Sequence, residues 1–308
     1  MAKIPLLVDT DTAADDCFAL LVALLDDRAD LRAITIVGGN VGFDQQVHNA
    51  LLTMSLAGKS VPLHLGSRDP LEREWISAID VHGDGVGGQR FDGDHVYSDE
   101  HAVEALVRTA AEFPGELRII CIGPLTNIAL AVQKDPQFVA NVGSLYVMGG
   151  SINGRGNITP AAEYNFYVDP EAADIVFRAG FEDVTVITWD PLTLNDTVFD
   201  PARIERIEAL DTPLSRFFVR ANAKTFEFDV AEGNGGSTHP DSLTAVLAID
   251  GSYATASARY GLAIETVGEL TRGASIFDWR ASDPNVTAIE SVDGERFFEY
   301  MLRLLARE

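Results

Sequence analysis

Four carboxylates crowd into eight residues near the amino terminus, in Asp9-Thr10-Asp11-Thr12-Ala13-Ala14-Asp15-Asp16. One or two acids there would suit the start of a helix, whose unpaired N–H groups favour negative charge by ~0.3–1 kcal/mol. Four converging at one strand end repel one another, and a bound hard cation offsets the repulsion. Carboxylates with a backbone carbonyl and waters are the ligands that calcium or magnesium takes, so the segment reads as a metal site. Further polar residues recur at intervals along the chain, at Asn40, at Gly123 to Asn127, and at Asn157, Glu163 and Asn165.

These residues need elements to hold them. Residues 4–8 read as a buried strand and 15–25 as a helix with acids in its first turn. A strand over 31–37, a helix over 44–56 and a strand over 61–65 follow, and then a long Gly-, Asp- and His-rich loop to Tyr97. Beyond it come a helix over 99–113, a strand over 117–121 and a helix opened by Pro124 at its first position and running to 132. The pattern continues with a strand over 145–148, a loop over 149–168, a helix from Asp169-Pro170 and a strand over 184–187. Residues 201–228 read as mainly helical, 232–239 as a loop, and a helix starts at Asp241. A strand over 286–289 and a helix over 295–305 end the chain. This alternation implies an α/β fold: an open, mostly parallel sheet with helices on both faces and a Rossmann-like core. No repeat or linker divides it, so residues 1–308 are expected to form a single domain. In such sheets ligands bind beyond the carboxyl ends of the strands, which is where the polar clusters fall.

The 308 residues are 46% apolar and 23% charged, the make-up of a globular protein rather than a disordered or fibrous one. The net charge of −24 repels nucleic-acid backbones and anionic membranes, so neither is an expected partner. Cys17 and Cys121 both lie in apolar segments and read as small hydrophobes, not as a disulfide framework. No apolar run nears the roughly 20 residues that span a bilayer. The first apolar run stops at Asp9, too short for a signal peptide, so a cytoplasmic location is expected.

A strand followed by Asp-x-Asp-x-Thr marks haloacid-dehalogenase-like phosphatases, but Ala13 stands in place of that threonine. The 9–16 segment instead resembles the Asp-x-Asp-x-x-x-Asp-Asp signature of the calcium-dependent nucleoside hydrolases, the inosine-uridine-preferring family. The resemblance continues in order through Val37-Gly38-Gly39-Asn40, His82-Gly83-Asp84-Gly85-Val86-Gly87-Gly88 and Gly123-Pro124-Leu125-Thr126-Asn127. It then takes in Met148-Gly149-Gly150 and Gly156-Asn157-Ile158-Thr159-Pro160-Ala161-Ala162-Glu163-Tyr164-Asn165, and it reaches Asp241.

That resemblance implies hydrolysis of small-molecule ribonucleosides to ribose and free base, in nucleoside salvage or catabolism. It implies a calcium ion (Ca2+) held by Asp11, Asp16, the Thr126 backbone carbonyl and Asp241, with Asp11 as the base that deprotonates a calcium-bound water. Asp15, Asn40, Asn157, Glu163 and Asn165 match the positions that grip the ribose hydroxyls. Members are commonly dimers or tetramers, so a homodimer or homotetramer is expected.

Two departures stand out. Ala13 and Ala14 fall in a motif where many relatives carry glycine, a change expected to alter packing alone. Pro240 stands where many relatives place a histidine or tryptophan directly before the calcium aspartate, with His239 one residue earlier. His239 is the first candidate for the acid that protonates the leaving base, and His82 the next. Phe226, Phe228 and Trp75 lie in segments that can wall the base. An idle nucleoside or ribose binder on the same fold is the alternative reading. The retained Asp11, Asp15, Asp16 and Asp241 argue against it, because binding alone needs no intact base and metal set.

Overall fold

The computed structural model describes residues 2–307. Among them, nine strands form one sheet: β1 (Ile4–Thr10), β2 (Ala29–Ile36), β3 (Leu63–Leu65), β4 (Arg118–Cys121), β5 (Ser144–Met148), β6 (Val184–Ile187), β7 (Ala254–Ile264), β8 (Ser275–Asp278) and β9 (Val286–Val292). They lie side by side in the order β3-β2-β1-β4-β5-β6-β9-β7-β8. Pairing is parallel from β3 to β9, and antiparallel between β9 and β7 and between β7 and β8.

β1 is a central strand with parallel neighbours at both edges, and each of its faces packs into a core. Its unbroken run Leu6, Leu7, Val8 meets that demand, each side chain fully buried. Alternation sends Leu6 and Val8 into one core with Phe18, Phe218 and Leu243, and Leu7 into the other with Ile119, Cys121 and Val147. On the first face the helices Asp15–Leu25 and Pro240–Ile249 pack on each other, and both are buried almost all round.

Chain progression reverses between β1 and β4: β2 and β3 extend one way and β5 and β6 the other. The loops leaving β1 and β4 therefore diverge and open a crevice at their carboxyl ends. Asp11 to Asp16 leave β1, residues 122–125 leave β4, and Asn40 follows β2. The fold thus delivers the acidic cluster to the switch point.

The parallel core matches the sequence pattern, with ends shifted by a few residues. Pro124 lies ahead of the helix Thr126–Lys134 instead of opening it. β7 and β8 are strands that the apolar pattern does not announce: the first half of β7 is small, polar and largely exposed. The two cysteines are free and buried. Among the described residues, no helix is long and apolar enough to cross a membrane.

Candidate active site

Asp11 is the first residue past β1 and is fully buried. Its Oδ2 accepts the backbone N–H of Asn40 at 2.9 Å, while Oδ1 has no hydrogen-bond partner. Gln46 Nε2 donates to the Asp11 carbonyl at 2.9 Å and fixes the backbone there. Gly39 makes the close approach possible, since a Cβ on it would stand 2.0 Å from Asp11 Oδ2. Asp16 accepts from Thr10 Oγ1 at 2.7 Å, from the Ala13 N–H at 3.1 Å and from Asn40 Nδ2 at 3.1 Å. Asn40 therefore clamps both acids, one with its backbone and one with its side chain.

Burial pushes the Asp16 carboxyl up to about 7 in spite of its donors. Burial, and then repulsion from neighbouring carboxylates, holds Asp11 and Asp241 well above the usual carboxylate range. Among the described residues, no three His, Cys, Asp or Glu side chains converge closely enough to hold a metal ion by themselves. The acids are instead held on amide and backbone donors, with the partnerless Asp11 Oδ1 between them and the β4 loop, where a Cβ on Gly123 would come within 2.9 Å of it. Ala14 sits at φ 41°, a conformation that an L side chain rarely adopts. Its N–H donates to the Gly85 carbonyl at 2.7 Å, which closes the glycine-rich loop onto the acidic turn.

Asp15, Asn40, Asn157, Glu163, Asn165 and Asp241 all line one cavity of about 400 Å³. Glu163 caps the short helix Tyr164–Val168, accepting the N–H groups of Asn165 at 2.9 Å and Phe166 at 3.3 Å, and it also takes that of Gly150 at 3.0 Å. Burial still raises its carboxyl to about 7. Asn165 Nδ2 spans the ends of β4 and β5, with contacts of 3.4 Å to the Ile122 carbonyl and 3.3 Å to the Met148 carbonyl. Asn157 Oδ1 accepts the Tyr164 N–H at 2.8 Å. Thr126 is buried at the start of its helix, and its hydroxyl donates to Asp169 Oδ2 at 2.6 Å.

The two histidine candidates part company. His239 does not line the cavity: it is fully buried, with its ring centroid 4.2 Å from that of Phe199 and 5.3 Å from that of Phe218. Both of its nitrogens are engaged, Nε2 with Ser237 Oγ at 2.9 Å and Nδ1 with Asp15 Oδ1 at 3.1 Å. The leaving-group role expected of it is corrected accordingly, because a ring facing the core with both nitrogens occupied cannot reach a departing base. His82 does line the cavity, half-buried at the end of the short helix Ile79–His82, with Nδ1 3.3 Å from Thr225 Oγ1. Burial pushes its imidazole down to about 4.

Among the expected aromatic walls, Phe228 lines the cavity, whereas Phe226 and Trp75 lie outside it. The Trp75 indole N–H instead donates to the Gly39 carbonyl at 2.6 Å. Trp189, Thr225 and Asp229 also face the cavity, and sequence reasoning missed them. The i, i+4 spacing of Thr225 and Asp229 around Phe228 was the only available signal. A second hollow, of about 470 Å³ beside β3, is lined by residues such as Met54, Lys59, Phe91 and Tyr97 and has no cluster of acids.

A buried acidic cluster at the switch point, ringed by amides and a second carboxylate, is a recognisable arrangement. The profile of the inosine-uridine preferring nucleoside hydrolases matches residues 6–299. The chain belongs to that family. Its reaction is accordingly N-ribohydrolysis, in which water replaces the base on the ribose of a nucleoside.

The pyrimidine-specific ribonucleoside hydrolase RihA of Salmonella arizonae is 32% identical to this nucleoside hydrolase over 310 residues, covering 98% of each chain. An uncharacterised protein of Schizosaccharomyces pombe is 35% identical over 317 residues, covering 98% of this chain and 99% of its own. Among solved structures, the plant nucleoside hydrolase PpNRh1 superposes with a TM-score of 0.91 at 30% identity, covering 99% of both chains. A purine-preferring ribonucleoside hydrolase from Gardnerella vaginalis gives 0.90 at 28% identity, covering 98% of both.

Proposed function

We propose that this nucleoside hydrolase works with a divalent cation, calcium, held by Asp11, Asp16, Asp241 and the Thr126 carbonyl. The observation that carries the reading is the fully buried, donor-free Oδ1 of Asp11, in a group of carboxylates where burial, and then repulsion from its neighbours, holds Asp11 and Asp241 above the usual range. An all-oxygen donor set of this kind suits a hard cation, whose charge offsets the repulsion. When bound, the ion supplies the positive charge that holds a water molecule and makes it more acidic.

The chain's own residues supply the remaining chemistry. Asp11 takes the proton of the attacking water at Oδ1, while the Asn40 N–H keeps Oδ2 engaged and the carboxylate in one orientation. Asp15, Asn40, Asn157, Glu163 and Asn165 bind the ribose hydroxyls. As the bond to the base lengthens, positive charge builds on the ribose ring. The cavity-lining carboxylates Asp15, Glu163 and Asp241 stabilise that charge more than they stabilise the ground state.

On the base side, His82 Nδ1 meets the Thr225 hydroxyl at 3.3 Å, and the tautomer in which that hydroxyl donates leaves Nε2 to carry the ring hydrogen. With its imidazole at about 4, His82 is neutral at pH 7 and donates a hydrogen bond to the departing base. By family resemblance the enzyme works as a homodimer or homotetramer.

The test is ribose release from a panel of purine and pyrimidine nucleosides, since relatives of both preferences are similar to this chain. Activity should disappear on chelation and return with calcium. Full turnover after exhaustive chelation removes the cation from the mechanism. A panel that binds but releases no ribose leaves the idle binder.

A further inference from the structure

We propose that His239 is a positioning residue that locks the orientation of Asp15 and thereby sets the enzyme's selectivity for ribose over deoxyribose. The proposal rests on the reading of Asp15 as a ribose-binding residue.

His239 sits where an imidazole is costly. It has no exposed surface, and Phe18, Phe199 and Phe218 surround its ring. A polar ring in such a place is tolerated only when both nitrogens are hydrogen-bonded. The chain provides a directed relay for this. Asn222 Nδ2 donates to Ser237 Oγ at 2.8 Å, and Ser237 Oγ lies 2.9 Å from His239 Nε2. The Asp15 carboxylate can only accept, so Nδ1, 3.1 Å from its Oδ1, carries the ring hydrogen, and Nε2 takes the hydrogen of the Ser237 hydroxyl.

Asp15 is held from several sides by one short segment. Oδ1 also accepts the Ser242 hydroxyl, and Oδ2 accepts the backbone N–H of Asp241 at 2.7 Å and that of Ser242 at 3.3 Å. His239 and Ser242 therefore pin the same oxygen, so the carboxylate cannot turn about its Cβ–Cγ bond. The Ser242 N–H contact is the longest of the four, and Oδ2 keeps capacity for one more donor from the cavity that Asp15 lines. Pro240 opens the helix Pro240–Ile249 and fixes the backbone between His239 and Asp241. The histidine nearest the predicted metal aspartate thus serves the sugar side of the scissile bond, not the base side.

Two substitutions separate this role from its rivals. His239→Phe keeps a ring in the aromatic cluster and removes both hydrogen bonds. His239→Asn carries an amide donor close to where Nδ1 stands. KM and kcat are measured for a ribonucleoside that the wild type cleaves and for p-nitrophenyl riboside. The 2′-deoxy and 3′-deoxy nucleosides are measured as substrates or, where turnover is too slow, as competitive inhibitors.

His239→Phe should raise KM on both ribosides by on the order of 10-fold, the scale of one charge-assisted hydrogen bond, while affinity for at least one deoxy analogue changes little. The ribose-to-deoxyribose preference shrinks accordingly, and His239→Asn restores most of it. A loss confined to nucleosides, with p-nitrophenyl riboside spared, overturns the proposal in favour of a leaving-group acid. Equal losses on ribose and deoxyribose compounds without rescue by Asn, or no change at all, overturn it as well. Should His239→Phe fail to fold, Ser237→Ala cuts the relay one link back and should move the same preference in the same direction; an unmoved preference then counts against the proposal. A wild-type enzyme with no ribose preference would instead defeat the underlying reading of Asp15, before any variant is made.

Discussion

Gly39→Ala is the smallest change that reaches the proposed base. The new Cβ would stand 2.0 Å from Asp11 Oδ2 and 2.6 Å from both Asp11 Cβ and Cγ, where real Cβ contacts stay above 3.0 Å. The carboxylate must therefore recede by about 1 Å and give up the Asn40 N–H, and a misplacement of that size at a reacting group costs about 10²-fold in rate. Overpacking adds a stability loss of roughly 1–3 kcal/mol. Two neighbouring glycines calibrate the effect. A Cβ on Gly42 meets nothing within 4 Å, so Gly42→Ala should leave both rate and stability near wild type. On Gly38 it would meet the Arg68 carbonyl oxygen at 2.2 Å, so Gly38→Ala should lose stability first. The assay is steady-state ribose release beside thermal melting of the same preparations. A folded Gly39→Ala enzyme that retains wild-type kcat would refute the placement of Asp11 at the reacting centre.

Three further outcomes follow from the same geometry. Asp9, Asp16 and Glu163 are each raised to about 7, so the chelated native state holds more protons than the unfolded chain between roughly pH 4 and 7. The stability these three groups contribute is greatest below that window and is lost as pH rises through it; a chelated protein that melts no lower at pH 8 than at pH 5.5 contradicts this. His82→Ala should slow nucleoside hydrolysis by about 10²-fold while leaving p-nitrophenyl riboside, whose leaving group needs no stabilisation, nearly unaffected. Equal losses on the two substrates would mean a binding role. Because water is the only nucleophile proposed, the first ribose formed should have inverted anomeric configuration by NMR, and retention would require a ribosyl-enzyme on a carboxylate.

What was legible in the sequence was what is local in the chain. The acids of the 9–16 turn sit side by side, so their crowding shows without a fold, and the apolar runs of β1, β4 and β5 announce buried parallel strands. Direction was not legible. His239 neighbours Asp241 in sequence, yet its backbone at φ −134° and ψ 60°, followed by Pro240, turns the ring into the phenylalanine cluster. Trp75 reads as a base wall, whereas in the structure its indole N–H donates to the Gly39 carbonyl. β7 escaped because a strand half in water needs no continuous apolar run; only Tyr260, Leu262 and Ile264 show the period of two. Asn40 was matched to ribose, but its hold on both Asp11 and Asp16 appears only once β1 and β2 lie side by side.

The central claim is that Asp11 carries the chemical step. Asp11→Asn keeps the size of the side chain and an oxygen able to accept the Asn40 N–H, but it cannot take up a proton. Single-turnover release of ribose from a saturating ribonucleoside, with calcium present, compares the variant with wild type directly. The account predicts a loss on the order of 10³-fold in that rate, with the thermal melting point kept or raised because a buried carboxylate has been removed. A folded Asp11→Asn enzyme that turns over within about tenfold of wild type, less than a general base contributes, would contradict it.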